Sequence, residues 1–104
     1  MYGISAKLAF GNGLDGVTWE GRAQTVITAN ALESLDSDDV QVALARHTRG
    51  DWGDVSPADW QENEVSLQQG LRLFSIYRDR NKHRFYVITE HDRSVTTVLL
   101  PEDY

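Results

Sequence analysis

The chain has 104 residues, enough for one domain with a single hydrophobic core and too few for two. It contains no cysteine, which excludes disulfides and thiolate metal sites, and no apolar run near the roughly 18 residues of a membrane span. Ten basic residues against sixteen acidic ones leave a formal net charge of -6, a balance that repels nucleic acid at long range.

The opening MYGISAKLAF lacks the basic start, apolar stretch and cleavage site of a signal peptide. Together with the missing cysteines, this sets the expectation of a cytoplasmic protein that does not associate with membranes. Acidic residues concentrate between Glu33 and Glu64, whereas most Arg and Lys fall between Arg72 and Arg93. The chain is polarised.

Residues 1–22 read as an extension or hairpin, and 23–104 as the core of the single domain. Tyr2 to Phe10 has strand character, followed by turn signals at Gly11-Asn12-Gly13 and Asp15-Gly16. Gln24 to Thr28 is a short β-branched strand. Asn30 and Glu33 have capping-box spacing and predict a brief helical turn that ends near Asp36. Asp36 or Ser37 then caps a helix with two acids in its first turn, Val40, Ala43, Leu44 and His47 on one face, and Gly50 as its stop. Ser56, Pro57 and Asp59 announce a helix over 57–69 that ends at Gly70. Its apolar stripe is Trp60, Leu67 and Leu71, with Asn63 and Glu64 between them. Strands follow over 71–78, 83–90 and 95–100, joined by tight turns at 79–82 and 91–94. The fold class expected is α+β, with helices packed on one face of an antiparallel sheet that ends in a three-stranded meander.

Three polar constellations stand out. Glu64 interrupts an apolar stripe, where a carboxylate is costly unless paired; Arg72 or Arg93 would serve as its partner. Arg46-His47 precedes Gly50-Asp51-Trp52-Gly53-Asp54, a loop in which Trp52 offers a flat face and His47, Asp51 and Asp54 offer cation ligands. The structural alternative is that Trp52 plugs the core while Asp51 and Asp54 make turns and caps. Finally, Glu90, Asp92 and Arg93 share one hairpin turn, where a Glu-x-Asp pair suits Mg²⁺ and where turns also ordinarily carry Asp and Ser. The chain lacks a phosphate loop, a dinucleotide fingerprint and a zinc-protease motif, so no cofactor is expected. Arg84, Phe85 and Tyr86 faintly suggest an RNA platform, against which the acidic charge argues.

These landmarks, Leu44-Ala45-Arg46-His47, Gly50 to Asp54, Asn63-Glu64, Gly70, Arg72, Ser75-x-Tyr77, Ile88 to Ser94, Thr96-Thr97 and Pro101 to Tyr104, carry a resemblance. Over residues 23–104 the chain resembles a family of small bacterial proteins borne on plasmids and other mobile elements, a family that implies no particular activity. Nothing here resembles a methyltransferase cofactor loop. The expectation is that the landmarks gather where the Gly50–Gly53 loop meets the Glu90–Ser94 turn. That cluster would be a surface for a protein partner, with Arg46, His47, Asp51, Trp52, Asp54, Glu64, Arg72, Glu90, Asp92 and Arg93 as its residues. In this reading the protein is a non-enzymatic interaction module, in its sharper form an inhibitor of a host defence system. The alternative is a small metal-dependent hydrolase or nuclease built on His47, Asp51, Glu64, Glu90 and Asp92. A third is a purely structural role, with Glu64 and Arg93 as a buried pair. Oligomeric state is left open.

Overall fold

Short β-branched and aromatic runs pair into a five-stranded sheet in the computed structural model, which describes residues 4–8 and 23–104. The elements are β1 (Ile4–Leu8), β2 (Gln24–Thr28), α1 (Ala29–Ser34), α2 (Ser37–Thr48), α3 (Pro57–Gln69), β3 (Leu73–Arg78), β4 (Arg84–Thr89), β5 (Val95–Leu99) and a short 3₁₀ turn (Pro101–Asp103). The turn signals between Gly11 and Gly16 lie outside the described residues. The fold is α+β, and β3, β4 and β5 form the antiparallel meander that the two tight turns predict.

The sheet as a whole is mixed, which corrects the expectation of an antiparallel one. Its order is β1-β2-β5-β4-β3, and β2 runs parallel to β5. The cause is the connection: three helices follow β2 before the chain re-enters the sheet, so β3 starts back in the direction of β2. An up-down-up meander then leaves β5 parallel to β2.

Helix α1 starts two residues earlier than its capping box predicts. Thr28 is the N-cap, and its Oγ1 accepts from Ala31 N–H at 3.2 Å. Asn30 sits inside the helix and donates to Asp103 Oδ1 at 2.7 Å, while Thr28 Oγ1 donates to Asp103 Oδ2 at 2.6 Å. Helix α2 follows its signals closely. Asp36 caps it, and Val40, Ala43, Leu44 and His47 are all buried. Val40, Ala43 and Leu44 pack with Ile27, Ala31 and Leu35 onto Tyr77, Phe85, Val87, Val98 and Leu100, forming the core on one sheet face. Arg80, in the turn after β3, pairs with Asp36 at 3.3 Å and Asp39 at 3.0 Å, fastening the acidic start of α2 to the sheet. Among the described residues no helix is long and apolar enough to cross a membrane.

Helix α3 has the expected ends: Ser56 caps Asp59 N–H at 3.1 Å, Pro57 is in the first turn, and Gly70 adopts φ 70°. Its buried face is a different one from the stripe. Asn63 and Ser66 are buried, whereas Trp60 and Leu71 are 37% and 48% exposed. The reason is that α3 lies along the free edge of β3, where its neighbours are backbone amides and carbonyls. Asn63 Nδ2 donates to Phe74 O at 2.7 Å, and Asn63 Oδ1 accepts from Phe74 N–H at 3.1 Å. One carboxamide replaces a neighbouring strand. Further along the same edge, Ile76 N–H donates to Trp52 O at 3.2 Å and Asp54 N–H donates to Ile76 O at 2.7 Å. The edge is thus sealed without another strand.

This predicts that Asn63→Leu, despite its greater apolarity, destabilises by about 2–3 kcal/mol, because it orphans both Phe74 backbone groups. Urea unfolding would measure the loss. A stabilised variant would mean that α3 packs through an ordinary apolar stripe.

Candidate functional site

The α2–α3 loop directs its polar atoms inward. Arg46 forks onto Asp51, with Nε 2.8 Å from Oδ2 and Nη2 3.1 Å from Oδ1. Its guanidinium also lies 4.9 Å from the Tyr77 ring centre. Hydrogen bonding from Arg46 holds the Asp51 carboxyl below the usual carboxylate range. Tyr77 Oη donates to Asp51 O at 2.6 Å, and Gly53 N–H donates to Asp51 Oδ1 at 3.3 Å. Asp54 is exposed and lies 3.7 Å from Arg78. Trp52 is completely buried, so it plugs the core rather than offering a surface face.

Glu64 has neither of the arginine partners that its position in the stripe suggests. Its Oε2 accepts the Trp52 indole N–H at 2.8 Å. Arg93 is occupied elsewhere: Nη2 donates to Ser66 O at 3.0 Å, and Nη1 donates to the carbonyls of Leu71, Glu90 and His91. A cation there meets the Ser66 carbonyl in the last turn of α3 and complements the helix dipole. Asp92 Oδ1 accepts from Ser94 N–H at 3.0 Å and Ser94 Oγ at 2.6 Å, closing the hairpin turn. Glu90 serves that turn through its backbone, donating N–H to Val95 O at 3.0 Å and accepting from Arg93 N–H at 2.9 Å.

His47 is fully buried, with Nδ1 2.6 Å from Ser75 Oγ and Nε2 2.9 Å from Thr89 Oγ1. Thr89 Oγ1 lies 2.7 Å from Thr96 Oγ1, which extends the polar chain across three strands. Burial lowers the imidazole pKa to about 3, with the charge of Arg93 adding to the effect, so the ring is neutral near pH 7. Trp52 meets it edge-on, ring centres 5.5 Å apart.

The landmarks do not form one accessible surface, because His47 and Trp52 are buried. The Gly50–Gly53 loop docks on Ile76 and Tyr77, while the Glu90–Ser94 turn docks on Ser66 and Leu71 at the other end of β3. Buried His47 and Trp52 pack within the core. Among the described residues no three His, Asp or Glu side chains come together as a cation site requires. The side chains expected to converge are mostly engaged within the chain, by one another, by neighbouring side chains and by backbone groups.

Arg72 leads to a different place. It stacks 5.4 Å from the Tyr104 ring centre, with Nη1 donating to Tyr104 Oη at 3.0 Å. Both residues border a groove of about 440 Å³ between α3 and the sheet face that carries Phe74 and Tyr86. Three rings line it: Phe74 and Tyr86 have centres 4.9 Å apart, and Tyr104 stands 6.0 Å from Tyr86. Asp59 and Glu62 line the α3 side, and neither makes an ion pair among the described residues. Ser66 also lines the groove. It is 6% exposed, and its hydroxyl has no hydrogen-bond partner among the described residues.

Of these groove residues, only Arg72 belongs to the ten candidate binding residues, although Tyr104 is among the landmarks. Strand alternation carries the missed signal: Phe74 and Tyr86 point to the face opposite Ser75 and Val87. Asp59 and Glu62 read as ordinary helix-surface acids, and nothing local marks Ser66. Compared with protein-family models, with curated proteins and with solved structures, the chain matches none.

Proposed function

We propose that the protein is a non-enzymatic interaction module whose acidic α3 flank receives a basic protein partner. The observation that carries this is the α3 groove: two carboxylates without ion-pair partners among the described residues, beside three aromatic rings. Opposite charge steers such a partner and fixes its register. The overall charge of -6 acts in the same direction. In its sharper form, taken with the resemblance to mobile-element proteins, the module inhibits a host defence system. The hydrolase alternative has less support, because His47 is buried and engaged through both ring nitrogens.

The test is cross-linking capture from a bacterial lysate at low and high salt. The wild-type chain should capture a partner that is lost at high salt, as screened charges require. The Asp59→Asn/Glu62→Gln double variant should lose it at low salt. No salt-sensitive partner, or one indifferent to the double variant, would overturn the reading. A thermal shift with Mg²⁺ or Mn²⁺ would favour the hydrolase, since a native-state ligand at about 100 times its Kd adds about 2.7 kcal/mol.

A further inference from the structure

We infer that the α3 groove is a subsite for one cationic side chain, Lys or Arg, of a basic peptide segment. The inference rests on the interaction-module reading and assigns the chemistry of its contact. Phe74, Tyr86 and Tyr104 line the groove with aromatic surface. The negative faces of such rings attract cations, more strongly once water is excluded. Asp59 and Glu62 supply the balancing charge from the helix side. Ser66 lines the groove, and its Oγ, without a partner among the described residues, is an available hydrogen-bond acceptor.

Each competing occupant leaves something unmatched. A neutral apolar group would desolvate Ser66 and the two carboxylates without pairing them. Among the described residues an anion would meet Arg72 alone against Asp59 and Glu62, inside a chain of charge -6. A stacked nucleobase would fit the rings but bring its phosphates to the same acidic rim. A cation satisfies rings, carboxylates and hydroxyl together. The chain itself already uses this mode at the groove's border, where the Arg72 guanidinium faces Tyr104.

The experiment titrates isotopically labelled wild-type protein with capped pentapeptides Gly-Gly-X-Gly-Gly, X being lysine, arginine, norleucine or citrulline. A single side chain binds weakly, with a Kd on the order of millimolar, so chemical-shift changes are the readout. The Lys or Arg peptide should shift the ring resonances of Tyr86 and Tyr104 and the amide of Ser66, with little response to norleucine or citrulline. Tyr86→Leu, which keeps apolar area but removes the ring, should weaken binding by about 3- to 30-fold. Its amide spectrum elsewhere would show that it remains folded. No shift at these residues, an equal response to norleucine, or tighter binding of a short oligonucleotide would overturn the subsite. If cross-linking still finds a salt-sensitive partner that depends on Asp59 and Glu62, the subsite alone falls; if neither experiment responds, the module reading falls too.

Discussion

Gly53→Ala is expected to cost about 4–6 kcal/mol, enough to unfold much of a domain whose total stability is about 5–15 kcal/mol. Gly53 has φ 74°, a region where a side chain costs about 1–3 kcal/mol by itself. A Cβ there would lie 2.0 Å from Ile76 O, 2.7 Å from Tyr77 Cδ1 and 2.8 Å from Tyr77 Cε1. The carbonyl oxygen cannot retreat cheaply, because it accepts the Asp54 N–H that seals the β3 edge. Nor can the ring, since Tyr77 is buried in the core and its hydroxyl holds the loop through Asp51 O. Two controls separate strain from collision. Gly50 has φ 83° and its nearest contact would be Trp52 Cζ2 at 3.8 Å; Gly70 has φ 70° and no described residue within 4 Å. Alanine at either should cost only about 1–2 kcal/mol, the penalty of left-handed backbone. Urea unfolding of the three variants measures the difference. If Gly53→Ala loses no more than Gly70→Ala, the loop does not dock on Ile76 as described.

Acid should destabilise the protein well above the range where carboxylates titrate. His47 has its pKa lowered from 6.5 to about 3 by burial. The folded state therefore binds fewer protons than the unfolded state between those values, and stability rises with pH across that window. The contribution is complete above about pH 6.5 and is lost at about 1.4 kcal/mol per pH unit as pH falls below it. On the order of 3–5 kcal/mol would go by about pH 3. Asp51, whose carboxyl is held low by Arg46, also loses its contribution as pH falls, but only below about its ordinary value of 3.8. The two windows overlap only below about pH 3.8. Stability of the wild type should fall steeply from pH 6.5 to 4.5, and His47→Gln, which cannot take up a proton there, should be flatter over that interval. Equal slopes would mean that the ring is reached by water and titrates normally. The prediction also bears on chemistry, because a histidine this reluctant to protonate is unsuited to general acid–base exchange at neutral pH.

The parts of the fold legible in sequence are those whose partners are close along the chain. Ser56 caps Asp59, Asp36 caps Asp39, and Asp92 closes on Ser94, all within three residues. The face of α2 and the meander are equally local, since helical and strand periods are read over one element. The α1 start is a near miss, because Thr28 and Asn30 are both good caps and the strand's extended end favours Thr28.

The candidate site was legible as an inventory of polar residues but not as a location. His47 finds partners 28 and 42 residues away, Glu64 finds Trp52 at a distance of 12, and Arg93 finds Ser66 at 27. A residue's chemistry states what it needs, without stating which distant group meets that need.

From sequence alone come the α+β class, the helix boundaries near Ser56 and Gly70, the apolar face of α2 and the acidic excess. Only tertiary structure decided the parallel pairing of β2 with β5, the internal use of the Gly50–Gly53 loop, and the position of α3. The physical reason is the same in each case. Period and capping give an angle around an element's own axis, but not the neighbour at that angle. For α3 the neighbour is a strand edge, where a carboxamide fits and a leucine does not.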